Sequence, residues 1–210
     1  MHGSLAMLDL AALLCSRVCH DLISPVGAVI NGLEVLEDDN DAETKTFALE
    51  LIKKSAQQAS ARLQFCRLAF GAAGSAGAAI DLGSAETVAR GLLEDEKTKI
   101  HWNLPRALLP KNQVKLLLNL LILAGQIIPR GGSVTVDPIG EGERQGFRLT
   151  VAGLNARIPQ AIPGLVSGDI ESAAIDAHAI QPFYTGLLAR SCGLSVSLAP
   201  DGQQIVITAG

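Results

Sequence analysis

The stretch "SRVCHDLISPVGAV", Ser16 to Val29, sets His20 beside Asp21 and places Pro25 one turn beyond the pair. An imidazole in such a run is a packing residue, a metal ligand or a nucleophile turned to solvent. On a helical wheel at about 100° per residue, Leu14, Val18, Leu22, Val29, Leu33 and Leu36 gather on the side away from His20. His20 shares its own face with Ser16, Ser24, Gly27, Asn31 and Glu34, flanked by Arg17 and Asp21. That placement disfavours a buried packing histidine. Cys15 and Cys19 face the apolar side, so one metal ion does not easily gather them with His20, even with Cys66 approaching from elsewhere. The spacing is also one residue too long for the C-x-x-C-H of haem attachment. A nucleophile fits better: Asp21 can hold the proton of one ring nitrogen, fix the tautomer and leave the other nitrogen free to attack. Pro25 lacks the N–H that the Asp21 carbonyl would accept, which loosens the helix one turn past His20.

Two long elements must position these residues. Apolar residues recur at three- and four-residue intervals from Leu8 to Glu37 and again from Asp41 to Phe70, the pattern of amphipathic helices. Only "DDND" separates them, and Asp39, Asn40 and Asp41 supply turn and N-cap chemistry, so the spacing predicts an antiparallel hairpin. Cys15, Cys19, Val26 and Ile30 widen the apolar arc of the first helix to about half its circumference. One hairpin partner cannot cover so broad a stripe, and pairing of two hairpins into a homodimeric four-helix bundle would.

The glycine- and alanine-rich "FGAAGSAGAAID" reads as a connection and sets a boundary between a helical hairpin, 1–76, and a second domain, 77–210. The second domain is expected to hold a helix from Ser84 to Glu96 capped by Ser84, and another from Asn112 to Ile128. The strand "SVTVD" and the strand "GFRLTVAG" follow, then a helix from Gln181 to Ser191. The strands "LSVSLAP" and "QQIVITAG" pair across Asp201 and Gly202. The fold class is α+β, an antiparallel or mixed sheet covered by helices on one face.

A chain of 210 residues, 48% hydrophobic, has ample material for a core. The net charge of -4, with Lys and Arg scattered, argues against nucleic acid as a partner. Four cysteines without regular spacing point to a reducing cytoplasm. The apolar start carries Asp9 and no basic segment, unlike a secretory signal. The longest apolar run, "LLLNLLILAG", is broken by Asn119 and too short to span a membrane.

His20, Asp21, Leu22 and Pro25 stand in the register of the H-box of histidine kinases, where a histidine and an acidic residue precede L-x-x-P. "NQVKLLLNLLILAGQIIPRGGSVTV" resembles the kinase N-box helix running into the ATP-binding fold, with Asn119, Leu120 and Ala124 at matching positions. The nucleotide-holding residues depart from that pattern. Leu123 replaces the second N-box asparagine, Gly153 through Pro159 lack the adenine-gripping aspartate and both glycines, and Tyr184-Thr185-Gly186-Leu187 keeps one glycine of the phosphate loop. A kinase-like hairpin with an intact histidine and an eroded ATP domain resembles the ChpT family of histidine phosphotransferases, over nearly the whole chain. "LLCSRVCHDLISPVGAVINGLEVL" and "FCRLAFGAAGSAG" carry that likeness.

The resemblance implies a homodimer with a degenerate ATPase-like α/β sandwich as its second domain. It implies that His20 accepts a phosphoryl group from the receiver domain of a hybrid kinase and passes it, as phosphohistidine, to the receiver domains of response regulators. Asp21 would orient His20; Ser16, Arg17, Ser24, Gly27 and Asn31 would form the surface on which a receiver lands. Arg17 contacts phosphate or an acidic rim on this reading, or is a solvated charge. No cofactor of its own is implied: no ATP, and Mg²⁺ supplied by the receiver. Two other readings stand beside it, an active but divergent sensor kinase and a non-catalytic dimeric adaptor.

Overall fold

A computed structural model describes residues 5–38, 41–71, 79–140, 145–169 and 175–210. Helix α1 spans Met7–Asp38 and α2 spans Ala42–Ala69. Asp41 caps α2, its carboxylate accepting from the Thr44 N–H at 2.9 Å, and so satisfies one of the donors orphaned at a helix start. Asp39 and Asn40, the rest of the expected turn, lie outside the described residues.

Gly32 of α1 is buried against α2. A Cβ there would stand 2.6 Å from Ile52 Cγ1 and 3.3 Å from the Ala48 carbonyl oxygen. Pro25, seven residues earlier, is buried as well. Much of the remaining apolar surface is open: Ile23 is 70% exposed, Val26 46%, Ile30 51% and Leu33 48%. The segment Met7–Glu37 is long and apolar enough to cross a membrane by length and composition. This corrects the expectation from apolar run length. Arg17, His20 and Asp21 break the apolar runs, and charged groups near mid-span are costly in lipid.

The second half begins with β1, Ala79–Asp81, followed by α3, Leu82–Leu93, β2, Thr98–Trp102, and β3, Leu108–Pro110. Then come α4, Lys111–Ile127, β4, Gly132–Ile139, β5, Gly146–Ala152, α5, Ile162–Ser167, α6, Ile180–Ser191, β6, Val196–Asp201, and β7, Gln204–Ala209. Five strands form a mixed sheet in the order β2-β4-β5-β7-β6, with β2 parallel to β4 and the other pairs antiparallel. β1 and β3 make a separate antiparallel pair. β6 and β7 close over Gly202 and Gln203, with Gly202 at φ 60°, the backbone that a glycine takes in such a turn. Val134, Val136, Leu149, Val151 and Ile207 point from one face of the sheet into a cluster with α4, whose Leu116, Leu117, Leu120 and Leu121 are fully buried. Phe65 and Ala69 of α2 belong to the same cluster, so the hairpin is built into this core.

Several elements differ from the sequence-based expectation. α3 starts two residues earlier than expected because Asp81, not Ser84, is its cap, accepting from the Ser84 N–H at 2.8 Å. β2 reads as no strand because only Ile100 of "TKIHW" is buried at the sheet edge. β1, β3 and α5 are too short to show a period. The expected boundary at 76/77 falls outside the described residues.

The two glycines of α1 predict opposite outcomes. Gly32→Ala should lower the unfolding free energy by about 1–3 kcal/mol, because Ile52 or a backbone must give way. At Gly27 a Cβ would meet nothing within 4 Å, so Gly27→Ala should raise stability by about 0.5–1 kcal/mol through helix propensity. Urea unfolding at one protein concentration measures both; equal effects would show that Gly32 is not a packing residue.

Candidate functional site

The middle of α1 presents Arg17, His20 and Asp21 within one turn. Arg17 and Asp21 are four residues apart, hence on one side of the helix, and Arg17 Nε donates to Asp21 Oδ2 at 2.9 Å. The other carboxylate oxygen, Oδ1, lies 3.6 Å from His20 Nδ1, just beyond hydrogen-bond length. The His20 side chain is 65% exposed, against 18% for Arg17 and 25% for Asp21. Arg17 is therefore engaged with Asp21 through its Nε. An exposed imidazole with Nδ1 turned toward a carboxylate leaves Nε2 as its accessible nucleophile.

The Asp21 carbonyl, which loses its helix donor at Pro25, receives one from the other helix. Arg62 Nη1 of α2 donates to the Asp21 carbonyl oxygen at 2.8 Å. Arg62, Arg17 and Asp21 line a cavity of 310 Å³ whose apolar walls include Phe65, Leu93 and Ile122. In such poorly solvated surroundings a hydrogen bond from a guanidinium is strengthened. Cys66 borders the same cavity. Burial, and next the Asp21 charge, push its thiol up to about 11, so it remains a neutral thiol at physiological pH and a poor ligand or nucleophile. Among the described residues no group of three or more His, Cys, Asp or Glu is arranged to hold a metal ion.

Ser16, Ser24 and Asn31 are exposed and Gly27 half-buried. With His20 they recur at three- and four-residue spacing on one unbroken helix, and so form a strip of small and polar groups. From the far end of the chain, His178 reaches the same place: its ring stands 5.3 Å from that of His20, centroid to centroid, at 80°. The Asp176 carboxyl beside it is held below the usual carboxylate range, chiefly by the N–H groups of Ala179 and His178. Nothing in the local sequence marks Arg62 or His178; each depends on packing between distant segments.

The positions that resemble nucleotide-holding residues are occupied by internal contacts. Asn119 is fully buried; its Nδ2 donates to the Ala69 carbonyl at 3.2 Å and to the Lys115 carbonyl at 2.9 Å. Gln181 Nε2 donates to Asn119 Oδ1 at 3.1 Å and to Thr185 Oγ1 at 3.0 Å. Leu123 is fully buried in the core. Tyr184 packs its ring 5.9 Å from that of Phe70, and burial raises its phenol. Gly186 lies inside α6 against the Val166 carbonyl, where a Cβ would collide, so this glycine serves helix packing rather than a phosphate loop. Asn119 and Gly186 are both engaged in contacts within the core.

The family described as histidine phosphotransferase C-terminal domain matches residues 82–204. The protein phosphotransferase ChpT of Brucella abortus (strain 2308) is 50% identical over 206 residues, 98% of this chain and 97% of that protein. A solved structure of a bacterial phosphotransferase superposes with a TM-score of 0.91 at 47% identity, covering 100% of both chains.

The Arg62 bond predicts a compensation. Arg62→Ala should cost about 1.5–3 kcal/mol of unfolding free energy, as expected for a lost hydrogen bond to a charged donor. Pro25→Ala returns an N–H to the Asp21 carbonyl, so in that background the same change should cost at least about 1 kcal/mol less. A double-mutant cycle in urea reads the coupling; simple additivity would mean that Arg62 does not replace the missing helix donor.

Proposed function

Because this chain belongs to the ChpT family of histidine phosphotransferases, we propose that His20 is its phosphoryl carrier, receiving the group from an aspartyl phosphate and giving it to another receiver domain. The observation that carries this reading is the 65% exposed His20 side chain, beside a carboxylate and at the head of a strip of small polar residues. The His20 Nε2 lone pair forms an N–P bond in line as the O–P bond of the acyl phosphate breaks, and the released electron pair stays on the aspartate carboxylate. The reverse sequence at the next receiver's aspartate completes the relay. Asp21 favours the proton on Nδ1, so Nε2 attacks unprotonated. Phosphoryl transfer depends mainly on positioning and charge neutralisation. The receiver brings Mg²⁺ and a lysine, and this chain adds the nucleophile and the landing strip of Ser16, Ser24, Gly27 and Asn31.

The donor on this reading is a protein, the hybrid kinase's receiver, and the acceptors are response regulators. The Asn119, Gln181 and Thr185 hydrogen bonds and the packing at Gly186 argue against ATP. A homodimer is supported by the uncovered stripe Ile23, Val26, Ile30 and Leu33, whose three- and four-residue spacing suits a bundle seam. That stripe also accounts for the apolar character of α1 without a membrane. Four free thiols fit a cytoplasmic setting.

The reading is tested by mixing the chain, without ATP, with a receiver domain pre-phosphorylated by a small acyl phosphate. Acid-labile label should appear on wild type and be absent from His20→Ala. Equal label on both, or on neither, would sink the proposal; label taken directly from ATP would favour a divergent kinase, and receiver binding without transfer an adaptor. Separately, sedimentation should give twice the chain mass for wild type and the single mass for V26E/I30E at the same concentration. An unchanged mass in the variant would place the seam elsewhere.

A further inference from the structure

An imidazole on an exposed helix face turns about two torsions unless something holds it. Asp21 does so only loosely: its Oδ1 lies 3.6 Å from His20 Nδ1, outside hydrogen-bond range, and its Oδ2 already accepts from Arg17. The His178 ring does touch His20, at 5.3 Å and 80°, an edge-to-face arrangement that ring quadrupoles favour.

His178 is itself held. Asp176 Oδ1 accepts from the N–H of His178 at 2.9 Å and from that of Ala179 at 2.8 Å. Ile175, Ile180, Phe183 and Leu165 form a buried cluster against which Leu13 and Leu14 of α1 pack. This clasp grips α1 about two turns before His20, so it delivers His178 to the ring from the N-terminal side. Ser24, Gly27 and Asn31 remain on the other side as the open approach.

We propose that His178 is a positioning residue of the phosphoryl-transfer site, holding the His20 imidazole edge-on so that Nε2 faces the incoming phosphoryl group. The inference rests on the transfer reading above. His178 exchanges no proton and no electron pair in the step; the N–P bond forms at His20 and the O–P electron pair leaves with the aspartate, as before. The second domain thereby acts on the reaction through one ring.

The test compares wild type with His178→Ala, His178→Phe and His178→Asn in transfer from a phosphorylated receiver, together with the His20 ring resonances by NMR in the unphosphorylated protein. His178→Ala should lower the maximal transfer rate about tenfold, leave the half-saturating receiver concentration within about twofold, and shift or broaden the His20 resonances. His178→Phe, which keeps a ring edge but no N–H, should recover most of the rate, and His178→Asn should not. Unchanged rate and resonances in His178→Ala would overturn the proposal, as would a change confined to half-saturation, or rescue by Asn but not Phe. His20→Gln separates the two readings: if it is labelled like wild type the transfer reading fails, whereas the NMR comparison still reports whether His178 holds the ring.

Discussion

The fully buried amide of Asn119 bonds the two halves of the chain together, donating to the last turn of α2 at Ala69 and to its own helix at Lys115. Gln181 of α6 then bonds Asn119 through both its side chain and its carbonyl oxygen. A buried polar network of this kind is costly when any member loses its partner, so it fixes one arrangement of α2, α4 and α6. That arrangement decides where α1 lies over α6, and with it the approach of His178 to His20. The geometry around His20 is thus set by hydrogen bonds more than one helix away from it.

The same network fills, with internal contacts, positions that resemble the nucleotide-holding residues of kinases. Asn119, at a position that resembles the N-box, donates to two carbonyls, and Gly186, at a position that resembles the phosphate loop, packs against the Val166 carbonyl. Leu123 and Tyr184 add apolar contact where polar groups would be needed. Each of these side chains is thereby tied into the core by contacts within the chain. The domain is then a rigid support that holds α2 through Phe65 and Ala69 and α1 through Leu13 and Leu14.

Where the fold was legible in sequence, one physical period carried it. The 3.6-residue repeat fixed α1 and α2 nearly to the residue, and the same wheel turned His20 outward. The missing N–H of Pro25 identified the Asp21 carbonyl as unsatisfied, but not its partner. Arg62 is 41 residues away, and only the register of two packed helices brings it there. His178 was still less accessible, since its place depends on α6 docking over α1. Arg17 was open to two readings because a charge four residues before a carboxylate is ordinary on helices; in the structure its Nε donates to Asp21. β2 was missed because an edge strand with one buried residue has no alternation to detect.

The Arg17 commitment also bears on how an acidic partner approaches. A receiver's phosphorylation pocket is built around carboxylates, and a bare Asp21 beside His20 would oppose it at close range. Paired with Arg17, and with Arg62 bonded to its backbone, Asp21 presents no uncompensated negative charge. On the proposed transfer reading, the carboxylate could then bias the His20 proton without repelling a receiver docked over it. The cost is a looser hold on the imidazole, visible in the 3.6 Å separation. A second ring from another element supplies the constraint that the carboxylate, neutralised by arginine, gives up.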